Sequence, residues 1–169
     1  MKRPLLFGLF CLPVGIITII FLLKIAKLDE SFSNELSWIF AFSVAIATLI
    51  ASSSLWYLII ERKKLFSISR GVVVGVLSAA LAHFLSWNSF LVISSMGFNV
   101  FGPLENWSEF QGVDPLSGFY ISFVGSFFSL WIFGLFHLPI FGLIGGTCAK
   151  KFQNEFYSIL YNDIRTTHL

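Results

Sequence analysis

The sequence predicts an all-α integral membrane protein, with four transmembrane helices in an antiparallel bundle and both termini in the cytoplasm. Three observations predict it. First, Pro4–Leu23, Leu36–Ile60, Gly71–Leu104 and Pro115–Ala149 contain no Asp, Glu, Lys or Arg. Each can hold the roughly 20 apolar residues, at about 1.5 Å rise apiece, that cross a bilayer. Second, 56% of the chain is hydrophobic and 12% charged, with a mean hydropathy of +0.84. A water-soluble fold needs polar residues alternating along its surface helices, and these stretches lack them. Third, nine of the eleven basic residues (Lys2, Arg3, Arg62, Lys63, Lys64, Arg70, Lys150, Lys151 and Arg165) fall on one side of such a bundle, against Lys24 and Lys27 on the other. Basic residues collect in cytoplasmic connections, so the termini face inward, as in a bacterial plasma membrane protein.

The first helix is expected over residues 5–23. Lys2 and Arg3 before an apolar run resemble the start of a signal peptide. That run, however, is longer than the roughly 7–15 residues of a signal core, and no A-x-A-like site follows. An uncleaved helix is the better reading. The second helix is expected over 36–60, with Trp38 and Trp56 near its ends as interfacial anchors. The third is expected over 71–95. Its Gly71, Gly75, Ala79, Ala82, Ser86 and Ser89 form a small-residue face that lets another helix approach closely.

Residues 96–117 carry Gly97, Gly102, Pro103, Gly112 and Pro115, which exclude a continuous helix. Phe98, Val100, Phe101, Trp107 and Phe110 suit an outer loop lying on the membrane surface. The fourth helix is expected over 118–146, and Pro13 and Pro139 are expected to kink the first and fourth. The cytoplasmic tail, 150–169, spaces Phe152, Phe156 and Leu160 four apart, as in a short amphipathic helix along the inner surface. The whole chain, 1–169, reads as one transmembrane domain. Phe7–Val14 and Phe133–Ile140 are alike, but their flanks differ, and coincidence in a Phe- and Leu-rich chain explains the match.

Several function classes are excluded or left without support. A net charge of +2 gives no footprint for nucleic acid. Cys11 and Cys148 cannot build a disulfide framework and read as reduced structural thiols. Serine catalysis lacks both a G-x-S-x-G motif and a carboxylate in the bilayer to orient a histidine. Two histidines are too few to hold zinc.

What remains is polar chemistry inside the bilayer. His83 lies 12 residues from Gly71, or about 18 Å deep, and His137 lies nine residues from Gly146, or about 14 Å deep. On consecutive antiparallel helices they sit at similar depth and face inward, with Ser126 and Ser78 as candidate companions. Three uses are open: neutral imidazoles bonded to serines as structure, a functional polar site such as a substrate or quinone pocket or a proton relay, and bis-histidine haem ligation.

The expectation is a non-enzymatic protein without a cofactor, embedded in lipid and acting by binding another membrane protein or peptide in an accessory or immunity-like role. Phe98, Phe101, Trp107 and Phe110 are its candidate contact residues. A small transporter or transporter subunit is the alternative, and a haem or quinone-linked protein the third.

Overall fold

The computed structural model describes residues 2–25, 34–95 and 115–167, and all of these are helical except 62–67. Helix α1 is Lys2–Ile25, α2 is Asn34–Trp56, α3 is Ile68–Ser95 and α4 is Pro115–Thr167. Among the described residues three segments are long and apolar enough to cross a membrane: Phe40–Glu61, Ile68–Val92 and Leu116–Ser158. The predicted outer loop, with Phe98, Phe101, Trp107 and Phe110, lies outside the described residues apart from Pro115–Ser117, which belong to α4.

Helix α2 ends in a two-part device. A single π-helical turn, Tyr57–Glu61, is closed by the Arg62 N–H donating to the Tyr57 carbonyl at 2.8 Å. The chain then leaves through a Schellman motif. The Leu65 N–H donates to the Ile60 carbonyl and the Lys64 N–H to the Glu61 carbonyl, both at 3.1 Å. Lys64 takes the left-handed position, at φ 52°, that such a cap usually gives to glycine.

Each helix packs antiparallel against its chain neighbours, and α4 returns to α1 to close the bundle. The α3–α4 contact is the most extensive, and the reason is glycine. A Cβ on Gly71 would overlap the Gly145 carbonyl, one on Gly75 the Phe141 carbonyl, and one on Gly145 the Gly71 carbonyl. The small-residue face of α3 therefore lets two backbones touch within this chain. The α1–α2 contact is looser. There Gly8 faces Leu49 and Ser53, and Gly15 faces Thr48.

The core fills the end of the bundle nearest Arg3. Trp56 is fully buried, with the Phe7 ring 4.5 Å and the Phe152 ring 5.7 Å from it, centroid to centroid. Cys11 and Cys148 are free thiols in the same cluster. Arg3 closes this end, stacked 5.4 Å over Phe66 and 5.5 Å over Phe152, with Glu155 at 3.8 Å.

The fourth helix departs from the expected boundaries. It does not stop at Gly146, and the tail is not a separate surface helix. One continuous helix of 53 residues runs to Thr167, about 80 Å long. Gly145 and Gly146 lie against α3, and the Lys150–Glu155 stretch that follows holds no proline or glycine. Pro13 and Pro139 lie inside helices that continue past them.

Unlike a protein that folds in water, this one exposes large apolar side chains as well as burying them. Trp131, Leu135 and Leu143 expose 70% or more of their surface, while Ser43, Thr48, Ser52, Ser78, Ser86, Ser122, Ser126 and His137 are buried. A surface this apolar is one that an apolar solvent covers.

Candidate functional site

Two histidines and two hydroxyls, from three helices, meet at one place. His83 on α3 and His137 on α4 face each other with ring centroids 5.0 Å apart, and His83 Nε2 lies 2.8 Å from His137 Nδ1. The Gly71–Gly145 and Gly75–Phe141 crossings position them. Phe141 lies one turn from His137, and Gly75 two turns from His83. Side chains on such close helices meet directly instead of across a gap.

Both outer nitrogens of the pair are also occupied. His83 Nδ1 lies 2.9 Å from Ser129 Oγ, and His137 Nε2 is hydrogen-bonded to Thr18 Oγ1 on α1. Ser129 Oγ also accepts from Trp87 Nε1 at 3.3 Å and reaches the Ser126 carbonyl at 3.0 Å. The Thr18 hydroxyl reaches the Val14 carbonyl at 2.8 Å. A continuous chain thus runs Val14 O, Thr18, His137, His83, Ser129, Ser126 O. It ties three helices together, and every imidazole nitrogen in it has a partner. Phe133 and Phe141 stack on His137 at 6.4 and 6.1 Å, so the chain is walled by aromatic rings.

Of the serines singled out in the sequence, Ser126 belongs to this site. It is buried, and its hydroxyl donates to the Ser122 carbonyl at 2.5 Å, with the His83 carbonyl at 3.5 Å. Ser78 does not belong. It is buried without a hydrogen-bond partner and points elsewhere, because five residues turn a helix by about 140° from His83. Thr18, Ser129 and Trp87 are the residues sequence reasoning missed. Thr18 is the one hydroxyl in Pro4–Leu23, and Trp87 follows His83 by one turn; those were the available signals.

The geometry also bears on ligands. With nitrogens 2.8 Å apart, the imidazoles are closed on each other, and a porphyrin between them would have to part α3 from α4 next to the Gly75–Phe141 crossing. Among the described residues no group of three or more His, Cys, Asp or Glu side chains could hold a metal. What this arrangement can do is hold a chain of hydrogen bonds across three helices.

Comparison with protein-family models, with curated proteins and with solved structures finds no match.

Proposed function

We propose that the chain is a multi-pass protein of a bacterial plasma membrane that crosses four times, keeps both termini in the cytoplasm, and acts as a small non-catalytic carrier or carrier subunit for a small polar species. The positive-inside count and the apolar outer surface support the topology. One observation carries the functional part. Within the charge-free stretches of their helices, the two histidines lie together in a hydrogen-bonded chain with Thr18 and Ser129. Polar side chains within a membrane-spanning segment cost free energy, and an ionisable one marks a working site by default. The small-residue faces lend less support to partner binding, since Gly71, Gly75 and Gly145 are used within the chain.

The test uses purified full chain in phosphatidylethanolamine–phosphatidylglycerol vesicles, with stopped-flow light scattering after an osmotic step of urea or glycerol and a parallel assay of proton entry. Flux above protein-free vesicles, lost in His83→Phe and His137→Phe, is the expected result. Folded protein that moves neither solute nor protons refutes the reading.

A second reading, recognition of a membrane protein or peptide, is favoured by the bare outer half of α4. Phe119, Phe123, Phe127 and Trp131 are each more than half exposed. On this reading Trp107→Ala and Phe110→Ala in the outer loop abolish partner recovery in mild detergent while the protein still accumulates. Recovery that survives both changes removes the loop as the contact surface.

A further inference from the structure

We propose that the species handled by this site is the proton, and that Thr18, His137, His83 and Ser129 form a two-state proton wire; this rests on the carrier reading above. The argument comes from counting hydrogens along the chain. A hydroxyl has one hydrogen to donate, and a neutral imidazole has one N–H and one bare nitrogen. Trp87 donates to Ser129 in every case, since an indole nitrogen can only donate.

Two complete arrangements satisfy the same contacts. In the first, the Thr18 hydroxyl donates to His137 Nε2, His137 Nδ1–H to His83 Nε2, His83 Nδ1–H to Ser129 Oγ, and the Ser129 hydroxyl to the Ser126 carbonyl. In the second, every donor is reversed. The Ser129 hydroxyl donates to His83 Nδ1, His83 Nε2–H to His137 Nδ1, His137 Nε2–H to Thr18 Oγ1, and the Thr18 hydroxyl to the Val14 carbonyl. Each arrangement keeps both rings neutral and makes the same number of bonds. Each terminal hydroxyl has a helix carbonyl one turn or less away to take its hydrogen when the chain turns round. A purely structural pin needs one arrangement, but this chain has two of equal count.

Passing a proton converts one into the other, and the atoms balance at every step. A proton bonds to Thr18 Oγ1, and the hydrogen already there moves to His137 Nε2. The His137 Nδ1 hydrogen moves to His83 Nε2, and the His83 Nδ1 hydrogen moves to Ser129 Oγ. The original Ser129 hydrogen passes to a water molecule at that end, as the incoming proton came from a hydronium ion at the Thr18 end. Four O–H or N–H bonds form and four break within the chain, so one proton has crossed and both rings have exchanged tautomers. Rotation of the rings and hydroxyls, at the cost of breaking the chain for a moment, restores the starting arrangement. The wire links Ser129 and His137 across eight residues of α4, whose backbones stand about 12 Å apart along the helix axis.

The surroundings suit this use. Among the described residues no carboxylate, amine or guanidinium faces the pair from α1, α2, α3 or α4. Along these helices, Lys24 follows Thr18 by six residues and the Cys11 thiol precedes it by seven on α1, and the Cys148 thiol follows His137 by eleven on α4. The charges of Arg3, Glu61, Arg70 and Glu155 stand at the far end of the bundle. Nothing fixes the pair in a charged state, so a proton that enters has no counter-ion to hold it there.

The experiment places the full chain in phosphatidylethanolamine–phosphatidylglycerol vesicles with a potassium gradient, valinomycin and an internal pH-sensitive dye. Wild-type protein is expected to admit protons faster than protein-free vesicles. His83→Gln and His137→Gln are the decisive variants, because an amide keeps a hydrogen bond but cannot accept a proton on one atom and release it from another. Both should fall to the protein-free rate. Flux retained in either Gln variant, or absent in folded wild type, overturns the wire. If the wild type then still passes urea or glycerol in a histidine-dependent way, the carrier reading stands while the proton assignment falls. Should the variants fail to fold, ¹⁵N-histidine NMR of the wild type decides. Exchange between the Nδ1–H and Nε2–H tautomers of both rings supports the wire, and one fixed tautomer on each ring overturns it.

Discussion

Replacing Gly75 by alanine tests whether backbone contact between α3 and α4 sets the histidine geometry. A Cβ there would occupy the position of the Phe141 carbonyl oxygen, so the helices must part. Non-bonded atoms rest at about 3.5 Å, which demands an opening of more than about 1 Å at the crossing. Backbone cannot swing aside as a side chain can. The His83–His137 bond is 2.8 Å long, and about 1 Å more carries it past the limit of a hydrogen bond. Overpacking costs about 1–3 kcal/mol, and a lost interhelical bond in a membrane protein averages about 0.6 kcal/mol. Alanine returns up to about 1 kcal/mol through helix propensity. The net expectation is destabilisation by about 2 kcal/mol, read from SDS-titrated unfolding in detergent micelles by circular dichroism. Gly134→Ala is the control. Its new Cβ meets only Leu138 and Leu130 of its own helix, at 3.6 Å and 3.8 Å, and the variant should be neutral or slightly stabilised. Equal stability of the two variants would refute the reasoning.

Two further outcomes are expected. In a background lacking Cys11 and Cys148, Ser33→Cys and Glu109→Cys should react with an impermeant thiol reagent in intact cells, and Lys63→Cys only after lysis; labelling of the Lys63 position in intact cells reverses the orientation. Lys64→Gly should stabilise the fold by about 1 kcal/mol, because glycine takes the left-handed C′ position without the Cβ conflict a lysine carries. An unchanged SDS midpoint would show that the turn is not strained.

The helices were legible because charge is informative in a membrane protein. Where Asp, Glu, Lys and Arg are missing over some 20 residues, a helix is the backbone's main way to satisfy its own hydrogen bonds. The end of α4 was not legible. The expected boundary falls where the uncharged stretch runs out, while the use of Gly145 against Gly71 and of Gly146 against Val72 is visible only once α3 is in place. The π-helical turn at Tyr57–Glu61 carries no proline or glycine and left no trace in the pattern. The candidate site was half legible. Counting residues from the helix ends put His83 and His137 at similar depth. Depth does not fix rotation, however, so the sequence could not say that α1 would bring Thr18 to His137, or that Ser129 and not Ser78 would meet His83.

The length of α4 has a consequence of its own. From Pro115 to Ala149 it runs 35 residues without a charge, about 52 Å, against a hydrocarbon layer of about 30 Å. Such a mismatch is relieved by leaning the helix or by leaving its first turns among the lipid headgroups, where Phe119, Tyr120 and Phe123 are at home. On the proposed membrane-spanning arrangement, α4 leans further in a thin bilayer and stands straighter in a thick one. The crossing where Gly75 meets Phe141, one turn from His137, is the tight contact such a lean would turn about. On that arrangement lipid chain length would act on the separation of the two histidines without touching either of them.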